Sequence, residues 1–336
     1  MIRLGVIGCG QWGLNYVRVF SELPSSRVTY CNDLNGDRLN HVKRAYKSIK
    51  ITTDYWELLD GNRVDGVVVA TPASTHYKIV KDCLSSGKDV LVEKPLTLSS
   101  AEGEELVSLA ERSKRILMVG HIFEYNTAIK KLREYLNAGE MGDVYYLYSS
   151  RTGLGPIRDD VNAMWDLAPH DISILLYLLQ EMPENVSARG QAYLQPGKED
   201  VVFLTLGFPK RTIANVHVSW LDPHKIRKLT VIGSRKMAVF DDAEAMEKLK
   251  IFDSAVSSFF PVTSYGEFQL QLRKGDVFVP KLEEVEPLRN EANHFLECVK
   301  SRKKPMTPGE EGVRVVRILE AAQKSLGTNG SITEVN

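Results

Sequence analysis

Ile2-Arg3-Leu4-Gly5-Val6-Ile7-Gly8-Cys9-Gly10-Gln11-Trp12-Gly13 decides the fold class. Residues 2–7 form a β-type apolar run. Beyond Gly13, Tyr16, Val17, Phe20 and Leu23 recur at helical spacing as far as Pro24. Between strand and helix stands G-x-G-x-x-G. Gly8 permits the tight turn, Gly10 lets the backbone approach a pyrophosphate, and Gly13 lets helix and strand pack closely. The free N–H groups at the helix start suit an anion. Alone the glycine pattern is weakly specific; its place between a strand and a helix gives it weight.

Val28-Thr29-Tyr30-Cys31-Asn32-Asp33 reads as the second strand, ending in an acid 25 residues after Gly8. A carboxylate there accepts hydrogen bonds from ribose hydroxyls and repels a 2′-phosphate, which favours NAD over NADP. Arg38, five residues on, would serve a phosphate only by folding back. The alternation then continues. Residues 55–59 read as a short helix, 66–71 as a buried strand and 75–86 as a helix closed by Gly87. A strand at 90–92, a helix at 101–113 and a strand at 116–119 follow. Short apolar strands alternating with helices predict a doubly wound parallel sheet, a Rossmann domain over residues 1–122.

In such sheets ligands bind outside the carboxyl ends of the strands. Two further strand ends carry suggestive residues: Thr71-Pro72-Ala73-Ser74-Thr75-His76 and Glu93-Lys94-Pro95. A lysine just past a buried strand reaches into the crevice, while the proline fixes the backbone and stops the strand. A Glu-Lys-Pro alone is usually a solvated turn; its surroundings argue otherwise.

Residues 123–336 read as a second domain, α+β with a large open, mainly antiparallel sheet. Extended runs at 188–194, 201–208, 212–220, 227–232 and 237–240 are separated by polar turns, and Thr205, His217 and Ser219 alternate with apolar residues. Ahead of them lies a polar segment, residues 151–162, and then Trp165-Asp166-Leu167-Ala168-Pro169-His170-Asp171. Pro169 fits the first turn of a helix, which would place His170 at its positive end and favour a neutral imidazole.

The chain's 336 residues are 43% hydrophobic, and 43 basic residues balance 43 acidic ones. No global charge therefore draws in nucleic acid or membrane. Cys9, Cys31, Cys83 and Cys298 lack metal-type spacing, so no metal is expected. No apolar run nears the ~20 residues of a membrane span, and the N-terminus is strand-like from the start. A cytoplasmic protein acting on a small molecule is expected.

With the glycine turn, Glu-Lys-Pro, Asp166-x-x-x-His170-Asp171 and the ending Glu291-Ala292-Asn293-His294-Phe295 in order, the chain resembles the Gfo/Idh/MocA oxidoreductases over essentially its whole length. The resemblance implies NAD held by Gly8, Gly10, Gln11, Trp12, Gly13, Asp33, Thr71, Pro72, His76, Glu93 and Lys94. It implies Lys94, His170 and Asp166 as catalytic residues, either Lys94 or His170 taking the proton, with Pro95 after a cis bond. It also implies a homo-oligomer, dimer or tetramer, paired through the C-terminal sheet. Within the family, residues 151–174 are most similar to enzymes that oxidise C3 of UDP-N-acetylhexosamines. The substrate residues implied are Lys94, Tyr125, Arg151, Arg158, Asn162, Asp166 and His170. Arg151 and Arg158 suit a diphosphate, since a guanidinium fork matches phosphate oxygens; pairing with Asp159 and Asp160 is the plainer reading. Inositol or free-sugar oxidation, or ketoreduction of a nucleotide sugar, would use the same machinery. A non-catalytic NAD(P)-binding regulator would have no need of both Lys94 and His170.

Overall fold

The computed structural model describes residues 1–256 and 272–335. They divide into two compact units: Met1–Tyr125 with Val285–Glu320, and Asn126–Glu284 with Ala321–Asn336.

The first unit holds a six-stranded sheet of β1 (Ile2–Ile7), β2 (Ser26–Asn32), β3 (Lys50–Thr52), β4 (Gly66–Val69), β5 (Asp89–Glu93) and β6 (Leu117–Gly120). The order is β3-β2-β1-β4-β5-β6, with every pair parallel. The connecting helices are α1 (Gln11–Glu22), α2 (Gly36–Ala45), α3 (Trp56–Leu59), α4 (His76–Ser85) and α5 (Ser100–Ser113). Every residue of β4 and β5 is buried, because helices cover both faces of a parallel sheet. That is why these strands read as unbroken apolar runs. The strand order reverses between β1 and β4, and the crevice beyond their carboxyl ends is where such sheets take ligands.

The second unit is built on a nine-stranded sheet of β7 (Val144–Thr152), β8 (Asn185–Gln191), β9 (Val201–Gly207), β10 (Ile213–Ser219), β11 (Ile226–Gly233), β12 (Met237–Asp241), β13 (Leu249–Val256), β14 (Leu272–Phe278) and β15 (Thr333–Glu334), in the order β14-β13-β12-β11-β7-β10-β9-β8-β15. All neighbours are antiparallel except β7 and β10, which run parallel. Helix α7 (Ala163–Leu179) packs across β7, β9 and β10, with α6 (Thr127–Asn137) beside it. Alternation along the strands gives one covered face, for example Val202, Leu204, Leu206, Ala214, Val216 and Val218. The other face carries Tyr146, Tyr148, Phe203 and Ile213, each about half exposed.

Helix α8 (Pro287–Ser301) belongs to the first unit, and α9 (Gly309–Gly327) starts in the first and ends in the second. The second domain expected over 123–336 therefore surrenders residues 285–320. The cause is the apolar stripe Leu288, Ala292, Phe295, Leu296 and Val299, which completes a core with Tyr16, Val17 and Phe20 of α1. Phe295 meets Phe20 edge-on, centroids 6.3 Å apart. Just past α8, Arg302 grips the buried carboxylate of Asp89 with two hydrogen bonds of 2.8 and 2.6 Å. All four cysteines are buried free thiols, and no described helix is long and apolar enough to cross a membrane.

Because Phe295 is fully buried in that shared core, Phe295→Ala is expected to cost roughly 3–5 kcal/mol. Urea unfolding followed by circular dichroism measures it, and a loss below about 1 kcal/mol would contradict the placement of α8.

Candidate active site

Strand β1 ends at Gly8, whose φ of 89° lies in the left-handed region. A Cβ on Gly8 would lie 2.6 Å from the Ala70 carbonyl oxygen, and one on Gly13 only 1.8 Å from the Gly8 carbonyl oxygen. Neither position tolerates a side chain. Gly10 is different: a Cβ there would meet nothing nearer than Arg38 Nη1 at 4.0 Å. Gly10 caps α1 without any side-chain hydrogen bond over the first turn. An uncapped helix start beside open space fits a pyrophosphate. Gln11 and Trp12 occupy the first turn, both exposed.

Asp33, just past β2, is 7% exposed and accepts hydrogen bonds from the backbone N–H of Cys9 (2.7 Å) and Asn35 (2.8 Å). A carboxylate has about four acceptor positions, so capacity remains for ribose hydroxyls. Arg38 Nη1 lies 3.5 Å from the same carboxylate, so it neutralises the acid that was expected to repel a phosphate. Thr71 and Pro72 follow β4, with Thr75 donating to the Thr71 hydroxyl at 2.7 Å. His76 is buried, its Nδ1 2.8 Å from the Pro95 carbonyl and its Nε2 2.9 Å from that of Thr71. The ring thus lies between the ends of β4 and β5, and in its neutral form its single N–H donates to one of the two carbonyls.

Strand β5 delivers Glu93 and Lys94, and the Lys94–Pro95 peptide bond is cis. Glu93 is buried; its Oε1 accepts from the Tyr16 hydroxyl (2.9 Å) and its Oε2 from the Lys94 backbone N–H (3.2 Å). The Tyr16 hydroxyl also stands 3.0 Å from Oε2 of Glu291, on α8. Glu93 pairs in register with Gly120 of β6, and His121 follows directly. His121 is wholly buried and, among the described residues, has no hydrogen-bond partner at either ring nitrogen. Burial first, and then the charge of Lys94, push its pKa down to about 3, so the ring is neutral near pH 7. In the sequence Tyr16 stands in the helical stripe after the glycine turn and Glu291 heads the Glu-x-x-His-Phe ending, but neither is given a role there. His121 is given none either, although a polar residue directly beyond a buried strand, as Lys94 is, is a usable signal. Tyr125, expected at the substrate, is 1% exposed, its hydroxyl 3.1 Å from that of Thr307 in the core.

In the second unit α7 begins six residues earlier than expected. Asn162 caps it, its side-chain oxygen accepting from the Trp165 backbone N–H at 3.1 Å. Pro169 lies inside the helix, and His170 is its eighth residue rather than its first turn. The helix N-terminus, whose field fades within a turn, is therefore not what sets the state of His170. An interior proline forfeits one helical hydrogen bond, and thirteen of the seventeen helix residues being buried offsets that loss. Asn162, expected on a sugar, spends its amide on Glu199 (2.6 Å) and Gln323 (3.1 Å).

Arg151 is buried and holds Asp171 at 2.6 Å, so it forms an internal ion pair instead of a diphosphate clamp. Arg158 forks onto Asp160 with two bonds of 2.8 Å and approaches Asp166 to 3.7 Å, while its side chain stays 37% exposed. Asp166 accepts from the indole of Trp220 at 3.1 Å. The structure thus brings Arg158, from the loop before α7, to Asp166, one helical turn ahead of His170. No cluster of metal ligands occurs among the described residues.

The comparisons with known proteins agree with this architecture. Residues 2–121 match the Gfo/Idh/MocA profile described as an oxidoreductase family with an NAD-binding Rossmann fold, and residues 129–239 match a Gfo/Idh/MocA C-terminal domain. Myo-inositol 2-dehydrogenase from Thermotoga maritima is 26% identical, with 98% of each chain covered. UDP-N-acetylglucosamine 3-dehydrogenase from Acidithiobacillus ferrooxidans is 25% identical, with 94% of each covered. A solved structure of that enzyme superposes with a TM-score of 0.81, covering 97% of this chain and 98% of its own. GenD2 from gentamicin A biosynthesis, solved in complex with NAD, gives a TM-score of 0.83 at 24% identity, covering 100% of this chain and 96% of its own.

The open space at Gly10 sets a clear expectation. Gly10→Ala should leave stability within about 0.5 kcal/mol, yet weaken NAD binding at least roughly tenfold, about 1.4 kcal/mol. Calorimetric titration with NAD checks this; unchanged affinity would remove the turn from the binding site.

Proposed function

Since the chain belongs to the Gfo/Idh/MocA oxidoreductases, NAD-dependent dehydrogenases of sugar and polyol CH–OH groups, we propose that it oxidises a ring hydroxyl, at C3, of a UDP-N-acetylhexosamine or its uronic acid. The observation that carries this reading is Arg158, a part-exposed guanidinium beside Asp166 on the helix that bears His170. A diphosphate offers it the same two-oxygen partner that Asp160 now supplies. End-to-end similarity to a UDP-N-acetylglucosamine 3-dehydrogenase supports the same choice.

NAD, when bound, supplies the hydride acceptor at its nicotinamide ring. The residues fitted to hold it are Gly8 to Gly13, Asp33, Thr71 and Pro72, with Glu93 bracing the lysine turn. In the proposed reaction His170 accepts the proton of the substrate hydroxyl at a ring nitrogen. Lys94 donates a hydrogen bond to the same oxygen and stabilises the charge that develops there. Asp166, held by Trp220, orients the substrate. Glu93, buried directly behind Lys94, holds that residue's backbone N–H.

A second reading, oxidation of an inositol, is favoured by the match to myo-inositol 2-dehydrogenase over nearly the full length of both chains. NADH formation with UDP-N-acetylglucosamine and with myo-inositol separates the two, and activity with inositol alone would decide for the second. For the proposed roles, Lys94→Ala and His170→Ala should each lower kcat/KM by roughly 10²–10⁴. Wild-type turnover by both variants would end the assignment.

We further propose a cytoplasmic homo-oligomer paired through the open face of the nine-stranded sheet. Tyr146, Tyr148, Phe203 and Ile213 make that face unusually apolar for solvent. Sedimentation should show wild-type dimers or tetramers and a shift towards monomer in Tyr148→Glu; a monomeric wild type would contradict the proposal.

A further inference from the structure

Three acidic side chains meet in the first unit with one hydrogen too few for the obvious arrangement. Tyr16 and Glu291 are wholly buried, and Glu93 is 8% exposed. The Tyr16 hydroxyl lies 2.9 Å from Glu93 Oε1 and 3.0 Å from Glu291 Oε2. A phenol has a single proton and can donate it to only one of them. Were both carboxyls ionised, the other contact would set lone pair against lone pair, and two negative charges would share a buried site. Among the described residues Glu291 Oε1 has no hydrogen-bond partner, a poor position for a full charge.

We infer that Glu291 is a neutral carboxylic acid at pH 7 and heads a one-way chain of hydrogen bonds that keeps Glu93 ionised behind Lys94. Glu291 Oε2–H donates to the Tyr16 oxygen, Tyr16 O–H donates to Glu93 Oε1, and Glu93 Oε2 accepts the Lys94 backbone N–H. Every short contact then has the right polarity, and the partnerless Oε1 becomes the carbonyl oxygen of a neutral acid, far cheaper to bury than half a carboxylate. The proton belongs on Glu291 because of what faces each group. Glu93 has the Lys94 charge and two donors. Glu291 faces Glu93 and Tyr16 across from it and the phenol of Tyr125 beside it. The titration directions agree. Burial, and then the charge of Glu93, push Glu291 well above the usual carboxylate range. Burial also raises Glu93, but Lys94 and Tyr16 oppose it.

Glu291 is then a positioning residue: it acts on Lys94 through Tyr16 and Glu93. This consequence rests on the proposed role of Lys94, whereas the protonation state does not. Infrared difference spectroscopy of the full chain between wild type and Glu291→Gln tests the latter without any substrate. A protonated-carboxyl C=O stretch at pH 7, lost in Glu291→Gln, is expected. Its absence from the wild type, or its survival in Glu291→Gln, overturns the inference. In Tyr16→Phe the band should persist but move, since its acceptor is gone; an unmoved band overturns the chain of bonds. For the consequence, Glu291→Ala should lower kcat roughly tenfold with KM little changed, and Glu291→Gln, whose amide can donate as the acid does, should restore it to within about twofold. Equal losses in both variants would overturn the positioning role. Should no substrate turn over, the spectroscopic result still stands and only the substrate reading falls.

Discussion

The approach of α1 to the end of β1 is the constraint on which the first unit depends. With a hypothetical Gly13 Cβ only 1.8 Å from the Gly8 carbonyl, the helix rests on the strand at a distance no other residue permits. Two results follow within the first half of the same helix. Its uncapped start faces open space at Gly10, where an anion fits. One turn further, Tyr16 is carried to the end of β5, where it can bond Glu93. The cofactor turn and the lysine turn are therefore aligned by one helix, and a displacement of α1 would disturb both.

The second unit solves a different problem. Asp166 and His170, the residues proposed for its chemistry, sit on a helix interrupted by proline, where one backbone bond is missing. Burial of most of the helix against β7, β9 and β10, and the internal Arg151–Asp171 pair, hold it in place. Breaking such a buried pair by removing one partner typically costs about 3–5 kcal/mol. Arg151 thus serves the rigidity of the segment bearing His170, leaving Arg158 as the guanidinium with both exposure and a two-oxygen geometry. The two arginines look equivalent in the sequence, yet one is buried in the framework and the other stays part-exposed.

The parallel sheet was legible in the sequence because buried strands read as apolar runs ending in glycine, threonine or a charged residue. Gly8 to Gly13, Asp33, Thr71 and Lys94 fell at strand ends for that reason. What escaped was short or non-local. Strand β3 is three residues long, and α2 has only Leu39 and Val42 buried, too faint a periodicity to notice. The parallel pairing of β7 with β10 sets Ile213 against Tyr146, far apart along the chain. Pro169 suggests a helix start because proline is over-represented at the first helical position; the cap at Asn162 overrules that preference. Tyr16 and Glu291 stand 275 positions apart, and no local pattern announces such a partnership.

The return of residues 285–320 to the first unit bears on how the protein is made. A ribosome completes all six strands of the parallel sheet long before it reaches α8. Through that interval Phe20, Val17 and Tyr16 lack the apolar stripe that finishes their core, and Asp89 lacks Arg302. Domains that fold during synthesis do so as their last segment emerges. Here the first domain to be started is among the last to be finished, so its nascent form presents an apolar helix face while the nine-stranded sheet is being made. Dependence on chaperones, and intolerance of any truncation or fusion that removes the final fifty residues, follow from that order of events.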